Sequence, residues 1–271
     1  MRRIYFSSII FFLISIAGIS QSKLGEVACI YVTSTDLDSS IAVYEKLGFQ
    51  KTGSNTFPVS WVQASDGSLL IMIRKDNTPY IGLTYYVTGI EKIAEQLEKD
   101  GIVFTQKPKE GDPIKRYYFK SPDGFNIMLA ANIGSFQKPS GTTMANMKQE
   151  DYASADKYPN KQCGVFGEFC HPVSDLNTSI AFWKKIGFEI KYQTTIPYPH
   201  AILSDGLMII GLHQTKDFNY PAITYFGLNT EKRVQQLKEK GLHNFSEMMG
   251  KGNVILKTWE GQHLFLFTLG M

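Results

Sequence analysis

The sequence predicts an α+β protein built from two tandem copies of one domain, each copy made of two βαβββ units. Three observations lead there. The residues Asp36-Leu37, Ser40-Ile41-Ala42, Lys46 and Gly48-Phe49 return as Asp175-Leu176, Ser179-Ile180-Ala181, Lys185 and Gly187-Phe188, each 139 positions later. The same spacing relates Ser65-Asp66-Gly67 to Ser204-Asp205-Gly206 and Arg74 to His213. An offset that holds without a gap over about forty residues marks a duplicated unit. Within each copy, strand-period and helix-period segments also follow one another twice.

The elements follow in order. Val27–Val32 is a β-branched apolar run that reads as a strand. Asp36 supplies a helix cap, Ile41, Tyr44 and Leu47 recur at helical spacing, and Gly48 supplies the left-handed residue that ends the helix. Trp61–Ala64 and Leu69–Arg74 flank the Asp66-Gly67 hairpin signal. The pattern restarts with strand Leu83–Val87 and with Ile90, Ile93, Ala94 and Leu97 on one helical face before Gly101. Strands Arg116–Phe119 and Asn126–Leu129 surround Pro122-Asp123-Gly124 and complete a first domain over residues 26–133.

Residues 134–162 have no apolar period and read as a linker. The second domain, 163–271, replays the plan with Val165–Cys170, a helix from Thr178 to Ile186, and strands near His200–Leu203 and Leu207–His213. Its second half, from Ile223 to Thr268, keeps an offset of 140, as in Thr84-Tyr85 and Thr224-Tyr225.

The N-terminus has a different character. Arg2 and Arg3 precede the apolar run Ile9–Ile19, and Gly18 and Ser20 stand where a signal peptidase reads, so residues 1–20 read as a cleaved signal peptide and the protein as secreted or periplasmic. The run is too short to anchor in a bilayer. Losing Arg2 and Arg3 takes the net charge from +3 to +1, which argues against nucleic acid or an anionic membrane as partner. Three cysteines do not make a disulfide framework.

Strand, Asp-Leu, Ser-x-x-x-Tyr/Trp and Leu/Ile-Gly-Phe, over Val32–Phe49 and again over Val173–Phe188, resemble the vicinal oxygen chelate superfamily. Pro122-Asp123-Gly124 supports the match. The superfamily includes glyoxalase I, extradiol dioxygenases and bleomycin-binding proteins, and its two-domain layout looks like that of extradiol dioxygenases. The resemblance implies that each domain curls a mixed sheet into an open cup with helices on the outer face. It also implies a divalent metal on the concave side, held from four strand positions. Those fall at or near Cys29, Met72, Gly82 or Leu83, and Met128 in the first domain, and near Glu168, Gly211, Ile223 and Phe265 in the second. Such chemistry wants at least three His or acidic side chains with an open position.

The leading reading is therefore a cup that binds a small organic molecule without metal. Side chains two apart share a strand face, which places Glu168, His213, Tyr225 and His263 together in the second cup, and Cys29 and Arg74 in the first. The alternative is a glyoxalase-like lyase or extradiol-type dioxygenase, with Zn, Mn, Ni or Fe held by Glu168, His213 and His263 and assisted by Tyr225. His171 is expected to brace the turn into the helix, His200 to pack at a strand entrance, Asp175 and Ser179 to start a helix, and Tyr44 and Trp183 to lie in the core. No Gly-rich phosphate loop, Ser/His/Asp constellation or Cys-x-x-Cys pair is present.

Overall fold

The computed structural model describes residues 22–57, 59–132, 134, 141–247 and 252–269. The expected signal peptide lies outside them. In the first domain, β1 (Val27–Ser34), α1 (Leu37–Lys46), β2 (Gln50–Asn55), β3 (Trp61–Ser65) and β4 (Leu70–Lys75) form one unit. The next comprises β5 (Ile81–Val87), α2 (Ile90–Lys99), β6 (Arg116–Lys120) and β7 (Asn126–Ala131). The seven strands make one mixed sheet in the order β2-β3-β4-β1-β5-β7-β6. β1 and β4 run parallel, as do β5 and β7, while β1 and β5 meet antiparallel at the centre.

The second domain repeats this with β8 (Val165–Pro172), α3 (Leu176–Lys185), β9 (Glu189–Thr194), β10 (His200–Ser204) and β11 (Ile209–His213). β12 (Ala222–Gly227), α4 (Thr230–Glu239), β13 (Phe245–Glu247), β14 (Val254–Lys257) and β15 (His263–Thr268) follow. Its eight strands are ordered β13-β14-β15-β12-β8-β11-β10-β9. The extra strand is β13. Its counterpart in the first domain is reduced to a single bridge between Gln106 and Tyr118, so that unit lacks its third regular strand.

Local chemistry explains the repeated helices. Asp36 caps α1 by accepting from the Asp38 and Ser39 amides, and Asp175 caps α3 through the Thr178 amide. Gly48 and Gly187 adopt φ values of 93° and 104°, the left-handed conformation that stops each helix. The edge strands β2 and β9 are polar and almost wholly exposed, which explains why periodicity alone does not announce them.

A single apolar core joins the helix-side faces of both sheets. Ile30, Val32, Tyr44, Leu47 and Phe119 of the first domain belong to the same cluster as Phe169, Trp183, Phe188 and Leu212 of the second. The opposite faces carry separate clusters, Cys29, Tyr31, Met72 and Met128 on one sheet and Cys170, Phe218, Ala222 and Phe265 on the other. These are the cups. The three cysteines are buried and free.

The domain junction is built from reciprocal bonds. Tyr85 donates to Asp205 Oδ2 at 2.7 Å, and its counterpart Tyr225 donates to Asp66 Oδ2 at 2.5 Å. Each aspartate closes its own hairpin as well, since Asp66 Oδ1 accepts the Ser68 and Leu69 amides and Asp205 Oδ1 those of Leu207 and Met208. Asp123 reaches from the first domain to the Ser174 amide and hydroxyl, both at 2.8 Å, and to the Ser179 hydroxyl. Glu260 reaches in the other direction and accepts the Tyr44 hydroxyl. Residues 141–162 also pack against the domains. The Gly141 amide donates to Gly67 O, Tyr158 is fully buried, and Asn160 bonds Leu47 O and Asp66.

Candidate functional site: the cup of the second domain

Glu168 lies near the middle of β8, opposite Thr224 of β12 in the strand register. The register slips between Thr224 and Tyr225, because two β8 residues, Gly167 and Glu168, oppose one β12 position there. Gly167 fits this bulge for lack of space, since a Cβ on it would sit 2.4 Å from the Phe226 ring. The bulge turns Glu168 into the cup while Phe166 faces the core.

His213 ends β11, two residues after Gly211 on the same face. Its Nε2 lies 2.8 Å from Glu168 Oε1, and its Nδ1 lies 3.2 Å from the Tyr198 hydroxyl. In the tautomer that satisfies both contacts, Nε2–H donates to the carboxylate and Nδ1 accepts the tyrosine proton. Burial, followed by the Glu168 charge, pushes the Tyr198 phenol up to about 12, so it stays a donor at neutral pH. His200 stacks on His213 with ring planes 3° apart and centroids at 5.4 Å, and its Nδ1 meets the Tyr198 carbonyl. The result is a chain from Tyr198 through His213 to Glu168.

That chain ends on an oxygen with nothing to bind. Glu168 is 5% exposed, and its Oε2 is buried without a hydrogen-bond partner among the described residues. The carboxylate has its place only because position 211 is glycine, where a Cβ would lie 1.9 Å from Oε2 and 2.7 Å from His213 Nε2. Around it the wall is aromatic. Phe218 stands edge-on to His213 and Phe265, and Tyr220 stacks on His263 at 3.6 Å. Burial lowers His263 to about 4, with Lys257 adding in the same direction, so the ring is neutral at physiological pH. Cys170, beside Glu168, has its thiol pushed well above the ordinary range by burial and then by that carboxylate. It acts as a small apolar wall.

Three of the residues expected in this cup are on its face: Glu168, His213 and His263. Tyr225 is not. It does share a face with Ile223, but that face belongs to the joint core, where Tyr225 is fully buried, packs on Phe166 and bonds Asp66. The cup-facing residues of β12 are Ala222, Thr224 and Phe226. His171 faces the joint core against Phe125, 7% exposed, with neither ring nitrogen hydrogen-bonded. Burial holds it to about 4 and therefore neutral. In the first cup, Cys29 and Arg74 lie on the concave face, as expected from their alternation, but Cys29 is fully buried and its thiol is raised by burial.

Tyr198 was not visible from periodicity because it sits in the loop before β10. Its signal was indirect. The Asp205-Gly206 turn sets a register that pairs His200 with His213, and a residue two before His200 is then carried to the same rim.

The donor set does not fit the divalent metal that the resemblance implies. The third family position, expected at Gly82 or Leu83 and at Ile223, has to be corrected, because Leu83 and Ile223 face the joint core and the strand partners of Cys29 and Glu168 are Thr84 and Thr224. The four positions then hold Glu168, Gly211, Thr224 and Phe265 in the second cup and Cys29, Met72, Thr84 and Met128 in the first. Among the described residues no group of three or more His, Cys, Asp or Glu side chains is gathered for a metal. Glu168 and His213 bring only two donors together, already hydrogen-bonded to each other at 2.8 Å, one short of the three protein ligands that such a site wants. His263 stacks on Tyr220 and is not gathered with Glu168 and His213, so among the described residues the alternative triad is not formed.

No family model matches the chain, and no curated protein does. Solved structures do. The 2,3-dioxygenase LapB from Pseudomonas sp. KL28 superposes with a TM-score of 0.58 at 14% identity, covering 93% of this chain and 94% of that one. Homoprotocatechuate 2,3-dioxygenase from Arthrobacter globiformis gives 0.58 at 13% identity, covering 93% and 81%. A catechol 2,3-dioxygenase gives 0.53 at 12%, covering 90% and 87%. At such identities the likeness concerns architecture, and this chain has the tandem, cupped α+β fold of the vicinal oxygen chelate type found in extradiol dioxygenases.

Proposed function

We propose that the protein binds a small aromatic molecule carrying an N–H or O–H group in the cup of its second domain, without a metal. The observation that carries this reading is the unpartnered Glu168 Oε2 at the end of the Tyr198–His213–Glu168 chain. A buried carboxylate oxygen without a partner is costly, and a ligand donor would offset that cost. The rings of Phe218, Tyr220, His263 and Phe265 supply a ring-lined wall, the usual composition of a small-molecule site. The run Ile9–Ile19 behind Arg2-Arg3 supports export, and N-terminal sequencing of the secreted chain tests that part.

The test combines metal and ligand measurements. Purified protein is equilibrated with Zn, Mn, Ni and Fe, and its metal content is compared with that of His213→Ala. The expected result is no stoichiometric metal in either. About one ion per chain, lost in the variant, would overturn the metal-free reading in favour of a metal enzyme. A thermal-shift screen of phenols, catechols and anilines is then expected to yield ligands whose stabilisation disappears in Glu168→Gln. A screen with no such ligand overturns the binding reading.

A further inference from the structure

The first cup carries charge of the opposite sign. Arg74 shares its face of β4 with Leu70 and Met72, and Arg116 shares its face of β6 with Tyr118. Both guanidinium groups act on one phenol: burial pushes Tyr31 up, while the charges of Arg74 and Arg116 pull it back. Arg116 also bears on Tyr86. The concave-face positions of β1 and β3–β7 hold no acidic side chain. Asp76 lies at the rim, 3.6 Å from Arg74 Nη2, which is an ion pair but too long for a hydrogen bond. The Arg116 side chain has no ion pair or hydrogen bond among the described residues. Two guanidinium charges thus bear on one phenol, with no acidic side chain on the strands' concave face to balance them.

The surroundings specify more than charge. Trp61 is the cross-strand partner of Arg74. Tyr80 packs edge-on against Tyr31 at 5.8 Å and against Tyr118 at 6.3 Å, giving a ring-lined mouth. Beneath it, Gln63 Nε2, Arg74 Nε and the Tyr80 and Thr84 hydroxyls are buried without hydrogen-bond partners among the described residues. Gln63 is 5% exposed and Thr84 not at all, and the Gln63 amide oxygen already accepts from Thr52, so its free group is a donor. All four leftover atoms are thus N–H donors or hydroxyls.

We propose that the first cup is a second ligand site, and that it takes a small aromatic carboxylate. Arg74 and Arg116 hold the carboxylate by charge-assisted hydrogen bonds, and Trp61 and Tyr118 flank the ring. The site is independent of the one in the second domain and selects ligands of the opposite character.

Calorimetric titration of the whole protein with benzoate, its neutral isostere benzamide and inorganic phosphate tests this. Benzoate is expected to bind once per chain and more tightly than either control. Its affinity is expected to fall about tenfold or more in Arg116→Gln, the loss typical of a hydrogen bond to a charged group. Glu168→Gln, which disables the second cup, leaves this binding in place, so the two sites fail separately. No heat with benzoate, equal binding of benzamide, or an unaffected Arg116→Gln variant would each overturn the proposal. Phosphate binding as tightly as benzoate would overturn its aromatic part. If Arg116→Gln does not fold, the comparison of benzoate with benzamide on the native protein decides.

Discussion

The two cups share one strand plan, and equivalent positions on it hold opposite solutions to filling a concave face. Where the first domain has Cys29, Met72, Arg74 and Trp61, the second has Glu168, Gly211, His213 and His200. Met72 is buried and fills the floor of the first cup with a flexible apolar side chain. Gly211 leaves the equivalent floor empty, and the Glu168 carboxylate folds into that space against His213. A buried polar pair therefore depends on a side chain that is missing beside it. The charged residues of the first cup stay near its rim, where Arg74 remains about one-quarter exposed.

This contrast can be tested by exchanging volumes. Met72→Ala is expected to lose about 2–5 kcal/mol, because truncating a buried methionine leaves a cavity. Adding one methyl at the counterpart, Gly211→Ala, is expected to cost about 1–3 kcal/mol through overpacking against Glu168. The double variant Gly211→Ala with Glu168→Ala should recover much of that loss. Urea denaturation of the set measures all three, and a neutral Gly211→Ala would break the account of how Glu168 is accommodated.

The junction is where the two copies agree. Tyr85→Phe and Tyr225→Phe each leave an aspartate short of one buried donor, and each is expected to cost about 1–3 kcal/mol. Asp66 retains Asn160 as a donor to the same oxygen, whereas Asp205 retains Ser22. Near-equal losses are therefore the expected outcome. A strongly lopsided pair would show that one domain carries the interface.

A smaller effect concerns pH. His171 and His263 both have folded values near 4 against an ordinary 6.5, chiefly through burial. The unfolded chain then binds more protons between those limits, so stability is full above about 6.5 and declines as pH falls toward 4. Denaturation midpoints at neutral and mildly acidic pH check the sign, and His171→Phe is expected to flatten part of the slope. The smallest expected effect is on thiol chemistry. Cys29, Cys163 and Cys170 are buried, with thiols raised by desolvation, so an aromatic disulfide reagent should label none in the native state and three after denaturation.

Much of this was legible in the sequence. The duplication at a spacing of 139, the aspartate caps, the helix-ending glycines and the Asp-Gly hairpins set the order of elements, because each depends on local backbone chemistry. Alternation likewise put Glu168, His213 and His263 on one side of their sheet. It did so because β-strand parity is a local property of period two.

Tertiary structure alone decided the rest. Parity states which residues share a face but not which face is concave, and β12 is buried on both sides, so its hydrophobic pattern gives no contrast. Tyr225 consequently finds its partner in Asp66 of the other domain, and Thr224 takes the place facing Glu168. The meeting of Tyr198 with His213, the engagement of His263 by Tyr220, and the direct Glu168–His213 contact all depend on where loops and neighbouring strands arrive in space. Those contacts, and with them the absence of a third metal donor beside Glu168 and His213 among the described residues, come from packing between distant segments, for which no local residue pattern is a sufficient cause.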